Sequence, residues 1–170
     1  MKHSILLTLL LFTSSIFAQQ QEKMPNHKGS KELQKIKALV GTWVGKMDHG
    51  KGPMPVEINY KVTAAGSAVV ETFHPGTPME MVTVYHDEKG KLAMTHYCML
   101  GNQPKMKLVD SSENKVFLDL VEKSIFDKDK PYMSALTIDF LCEDKIRHTW
   151  GCCDGGDKHR NMSVEFIRKK

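Results

Sequence analysis

Gly41-Thr42-Trp43-Val44-Gly45 sets a tryptophan between two glycines, just after an amphipathic segment and just before a long series of short alternating stretches. In a small β-barrel a bulky aromatic on the first strand can plug one end, and flanking glycines let the backbone bend tightly past it. Upstream, Ser30 can cap a helix, Leu33, Ile36, Leu39 and Val40 recur at helical spacing, and Gly41 stops it, which predicts a helix over about 31–40. Downstream, Val56, Ile58, Tyr60 and Val62 alternate with Glu57, Asn59, Lys61 and Thr63, the period of a half-buried strand. Further strands are expected over 68–73, 81–86, 92–100, 106–110, 116–122, 133–142, 146–151 and 162–168, separated by turn residues. With the Trp43 strand the count is about ten. Such a series, joined mostly by tight turns and preceded by one helix, fits an all-β, antiparallel up-and-down barrel better than a sandwich.

The chain has 170 residues. Met1-Lys2-His3 followed by an apolar run from Ser4 to Phe17, with Ala18 before Gln19-Gln20-Gln21, reads as a secretory signal peptide over 1–18. The run is too short for a good membrane span. A periplasmic or secreted location follows, with a polar leader over 19–30 and one barrel domain over 31–170. The formal charge of +4 is spread among both signs rather than gathered in a stripe, so nucleic acid is a poor partner.

The helix, the Gly-x-Trp element and the antiparallel meander resemble the lipocalin-like, or calycin, superfamily, which includes lipocalins, fatty-acid-binding proteins and nitrobindin-type haem barrels. More narrowly, Gly66-Ser67-Ala68-Val69-Val70-Glu71-Thr72, Glu80-Met81-Val82-Thr83-Val84-Tyr85-His86 and His96-Tyr97-Cys98 through Gly101-Asn102-Gln103-Pro104 resemble a group of secreted bacterial proteins in that superfamily. That group carries no assigned chemistry. The resemblance implies a lipocalin-like barrel and admits a haem held through a histidine, with His96 or His148 as the residue.

A hairpin that pairs Asp87 with Lys91 would put Val82 and Val84 on one face with Leu92, Met94, His96 and Cys98. His96 then points into an apolar interior and needs a partner, with Asn102, Gln103 or a tyrosine as candidates. Ile146, His148, Trp150 and Cys152 share a second face, and a three-residue loop before them would join it to Ile138 and Phe140. Cys98, Cys142, Cys152 and Cys153 could form one or two disulfides, Cys98 or Cys142 with one of the adjacent pair. No CxxC pair appears. Histidines and methionines make copper chemically reasonable, although the methionines are scattered.

No Gly-x-Ser-x-Gly, His-Glu-x-x-His, phosphate-loop or dinucleotide motif is present, so an enzyme is the weaker reading and no catalytic residue is assigned. The expected function is a secreted barrel holding a small, mainly apolar ligand among Tyr60, Val84, Met94, His96, Cys98, Asn102, Gln103, His148 and Trp150. The rivals are a haem- or soft-metal-binding barrel using His96 or His148, and a packed structural module without ligand.

Overall fold

The computed structural model describes residues 26–48, 50, 52–122, 126–127, 129–156 and 158–170. The expected signal peptide over 1–18 and most of the leader lie outside the described residues. The elements are α1 (Lys31–Lys37), β1 (Gly41–Asp48), β2 (Pro53–Thr63), β3 (Ala68–Phe73), β4 (Met81–Glu88), β5 (Lys91–Tyr97), β6 (Lys105–Ser112), β7 (Lys115–Leu120), β8 (Tyr132–Cys142), β9 (Lys145–Cys153) and β10 (His159–Arg168). Each strand pairs antiparallel with the next, and β10 returns to β1, closing an up-and-down barrel of ten strands. Among the described residues no helix is long and apolar enough to cross a membrane.

The first helix forms for the reasons the sequence suggests, but ends early. The Ser30 hydroxyl accepts from the Leu33 amide, Glu32 sits in the first turn, Lys35 and Lys37 in the last, and Leu33 and Ile36 face the barrel. Beyond Lys37 the chain tightens, Leu39 N–H donating to Ile36 and Val40 N–H to Lys37, before Gly41 turns away at φ +119°. Residues just before the helix are tied down as well: the Ser30 amide and hydroxyl both donate to Asp87, and His27 N–H donates to Ala65.

Trp43 is fully buried, its indole N–H donating to Leu39 C=O at 2.7 Å and its ring covered by the Arg168 guanidinium 4.2 Å from the centroid. Arg168 also donates to the carbonyls of Val40 and Ala38, satisfying the end of the helix from the last strand. Trp43 thus closes the barrel at the helix end. Gly45 has a different task from bending: a Cβ there would stand 2.6 Å from the Glu165 carbonyl oxygen, so glycine permits the close approach of β1 and β10 at the closing seam.

Turns divide the barrel into two unlike ends. At the helix end β4–β5, β6–β7 and β8–β9 are joined by two-residue turns, Lys89-Gly90, Glu113-Asn114 and Glu143-Asp144. At the far end the strands are joined by longer segments, among them 74–80, 98–104 and 154–158. The strand expected over 92–100 stops at Tyr97, because Cys98 begins a turn in which Gly101 N–H donates back to the Cys98 carbonyl.

Two registers differ in cause or outcome from expectation. Lys89 and Gly90 both take positive φ, 50° and 77°, giving the primed two-residue turn whose twist suits a hairpin, so Glu88 rather than Asp87 pairs with Lys91. That shift of one residue turns Val82 and Val84 outward and puts Thr83 and Tyr85 inside. In β8–β9 the turn is also two residues, yet Ile138 and Phe140 still share the interior with His148 and Ile146. A bulge between Phe140 and Cys142 absorbs one residue and restores the apolar face.

Candidate functional site

The core is continuous from Leu33 and Trp43 at the helix end to Met47, Phe73, Met133 and Trp150 near the other. Above those residues a cavity of about 230 Å³ opens at the long-loop end. Its walls are mainly apolar, with Phe73, Tyr132 and Trp150 as aromatics, and its interior polar groups are Glu71 and His96. Phe73 and Trp150 meet edge to face with centroids 5.7 Å apart, which fixes two walls against each other. His74, also in the lining, holds φ +52° and packs its ring edge-on to Phe73 at 4.6 Å, a strained backbone at the cavity rim.

Beneath the cavity lies a polar belt. Tyr60, Glu71, Thr83 and His96 are Cα partners in one row across β2, β3, β4 and β5. The Thr83 hydroxyl pairs with His96 Nδ1 at 2.9 Å, leaving Nε2 as the ring atom free for a ligand among the described residues. Tyr85 O–H donates to Glu71 Oε2 at 2.7 Å, and Tyr60 bears on the same carboxyl. Across the interior the Tyr60 oxygen lies 2.9 Å from His148 Nε2. With the Tyr60 proton turned to Glu71, its oxygen accepts from His148 Nε2–H, and Nδ1 is left as a buried acceptor without a partner among the described residues.

Burial sets the charge of this belt. Desolvation pushes the Glu71 carboxyl up, opposed by the hydrogen bonds from Tyr85 and Tyr60, and pushes both phenols well above their ordinary range. It lowers His96 to about 4 and His148 to about 3, so both imidazoles are neutral at pH 7.

Of the residues singled out in the sequence, His96, Cys98 and Trp150 line the cavity. Tyr60, Met94 and His148 are buried deeper in the interior. Val84 faces away, for the register reason given above. Asn102 and Gln103 are not partners of His96: Asn102 Nδ2 donates to the Pro131 carbonyl and Gln103 Nε2 to that of Gly101, both in a shallow neighbouring groove beside Phe126 and Tyr132. All four cysteines are free thiols, so no disulfide joins Cys98 or Cys142 to the adjacent pair.

Glu71, Thr83 and Tyr85 were not anticipated. Glu71 carried a readable signal, since it shares parity with Val69 and Phe73 in β3, a strand whose apolar residues must face inward. Thr83 and Tyr85 depended on the turn register.

At His148 a haem fits poorly. His148 is enclosed by Tyr60, Trp150 and Phe166, and the cavity is smaller than the ~300–1,000 Å³ of sites for drug-sized ligands. Among the described residues no three of His, Cys, Asp and Glu gather as a metal site.

No model of a known protein family matches the chain, and no curated protein matches it. Among solved structures, Rv2717c from M. tuberculosis is similar with a TM-score of 0.54 at 11% identity, over 84% of this chain and 99% of that one. A redesigned β-barrel, b11L5F_LGL, matches at TM-score 0.36 and 9% identity over 79% of this chain and 94% of that one. The likeness to Rv2717c, together with the closed ten-stranded sheet, supports a lipocalin-like barrel fold.

Proposed function

We propose that this protein is a secreted binding barrel that holds one small, mainly apolar molecule in the cavity at its long-loop end. The observation that carries the reading is an apolar, aromatic-walled cavity that converges on two buried polar groups, Glu71 and His96. Apolar walls supply affinity, and a few placed polar atoms orient the ligand. Neutral His96 offers Nε2 beside the Glu71 carboxyl, so a ligand with one polar group, such as a hydroxyl or neutral amine, at the end of an apolar body suits the site. The size favours a short-chain or single-ring compound. Secretion rests on the basic start, the apolar run and Ala18.

Trp150 lies in the cavity wall while Trp43 sits at the opposite end, so a Trp43→Phe variant reports on the site through Trp150 emission alone. Titrating it with C6–C10 alcohols and acids, indole and p-cresol should give a saturable change with at least one probe, and filling the cavity with Phe at Cys98 (C98F) should abolish it. Native mass spectrometry of protein taken from the periplasm should show a co-purifying organic molecule. An empty protein that responds to none of these probes would refute the reading.

A further inference from the structure

Sulfur is concentrated in the lining of this cavity. Six of the eleven methionines line it: Met47, Met79, Met81, Met99, Met133 and Met162. Three of the four cysteines do so as well, Cys98, Cys152 and Cys153. They come from β1, β4, β8, β9, β10 and two loops of the open end, and only closure of the barrel brings them together.

Within that lining the Cys98 thiol points at Met81 Sδ, 4.0 Å away. With metal–sulfur bonds of about 2.3 Å, two sulfurs at that separation subtend about 120° at a shared ion, the angle of a three-coordinate site. Cys152, on β9 opposite Met133, lines the same mouth as Cys98 and Met81. Cys153 is differently placed, its thiol directed to the Gly156 carbonyl at 3.6 Å. Of the harder donors nearby, Glu71 is engaged by Tyr85 and Asp154 by Arg160 at 2.6 Å, which leaves His96 Nε2 as the open nitrogen.

We propose that Met81, Cys98 and Cys152 form a binding site for a soft monovalent metal ion, Cu(I), in the mouth of the barrel. Thiolate and thioether donors select Cu(I), whereas a structural zinc site wants four thiolate, imidazole or carboxylate ligands, a set the described residues do not assemble. Met99, beside Cys98 on the exposed loop, supplies a further thioether at the entrance. Binding changes no oxidation state: each thiol that ligates Cu(I) gives up its proton as its S–H bond is replaced by S–Cu, so two protons leave per ion.

The metal can be tested apart from the organic ligand. Full-length mature protein carrying Cys142→Ser, which removes the exposed thiol on β8, is titrated anaerobically with Cu(I) against bicinchoninate. One ion per chain is expected, with an X-ray absorption spectrum dominated by sulfur neighbours. Met81→Leu, which keeps all three mouth thiols by Ellman titration, should weaken binding by about tenfold or more. Cys98→Ser should weaken it further. Unchanged affinity in Met81→Leu, a nitrogen- or oxygen-dominated shell, or a Cys98–Cys152 disulfide in the native protein would each overturn the proposal. Trp150 emission with the organic probes on metal-free protein is read separately, so failure of one reading leaves the other to stand or fall alone.

Discussion

Replacing His148 should remove about 2 kcal/mol of the acid sensitivity of this fold between pH 7 and pH 5. The folded chain holds the His148 imidazole at about 3 because the ring is completely enclosed, whereas unfolding returns it to its ordinary 6.5. Between those values the unfolded chain binds a proton that the folded chain refuses, so stability falls as pH falls through that window and levels off below about 3. The full shift corresponds to about 5 kcal/mol at 1.36 kcal/mol per pKa unit. Between pH 7 and 5 the share from His148 is about 2 kcal/mol, and His96, held at about 4, adds a similar amount over the same interval. Glu71 opposes them: its raised carboxyl pKa means the folded chain keeps a proton that the unfolded chain loses, a contribution present at low pH and lost as pH rises. The exposed carboxylates Glu88, Asp110 and Glu165 are held below their ordinary range by cations, so what they contribute fades only below about pH 4.5.

His148→Leu leaves the Tyr60 hydroxyl short of one partner, a cost of about 1–3 kcal/mol that does not depend on pH in this range. The informative quantity is therefore the slope and not the absolute stability. Urea unfolding followed by far-ultraviolet circular dichroism at pH 7 and pH 5, at one ionic strength, should show the variant losing about 2 kcal/mol less than the parent. His148→Gln gives the same comparison with a polar side chain if the leucine variant does not fold. A variant whose stability falls as steeply as the parent's would show that the enclosed imidazole is not the group that titrates, and the assignment of a neutral, buried His148 would be wrong.

Gly45→Ala forces a methyl group to within 2.6 Å of the Glu165 carbonyl on the closing strand, and the melting transition should fall by the equivalent of about 1–3 kcal/mol. Lys89→Asn, at φ +50° beside Gly90, should gain about 0.5 kcal/mol in denaturant unfolding, because asparagine adopts that conformation more readily; no gain would contradict the primed-turn reading. Glu71→Gln keeps an acceptor for Tyr85 but cannot ionise, so its stability relative to the parent should improve from pH 5 to pH 8, and a constant difference would place the Glu71 carboxyl at its ordinary value.

The barrel itself was legible because it is written in period two. Val56, Ile58 and Tyr60 on β2, or Ile146, His148 and Trp150 on β9, reveal their inner face without help from distant residues. Facing across a hairpin was not legible, because one residue of turn length inverts it: Asp87-Glu88-Lys89-Gly90-Lys91 is compatible with a two- or a three-residue loop, and only the former leaves Val84 outside. On β8 the apolar pattern gave the right face while the loop length gave the wrong one, since a bulge is invisible in sequence. The cavity was hidden for another reason. Met47 and Met162 are 115 positions apart, and their meeting is a property of strand order, not of local spacing.

The two ends of the molecule also explain why the polar belt sits where it does. Tight two-residue turns, the helix, Trp43 and Arg168 make the lower end a packed unit with its backbone groups satisfied. A purely apolar middle would be the more stable continuation of that packing, since buried polar groups must repay their desolvation with hydrogen bonds. Tyr60, Tyr85, Glu71, Thr83, His96 and His148 instead occupy the level at which packing ends and the cavity begins. Only Glu71 and His96 of that set reach the cavity, and the others hold them: Tyr85 and Tyr60 fix the carboxyl, and Thr83 fixes the imidazole through Nδ1. A network built only to stabilise the barrel would have no reason to present its carboxyl and one imidazole edge to an opening. Its geometry is that of a floor with two polar groups held in place, which is what the proposed ligand-binding role calls for.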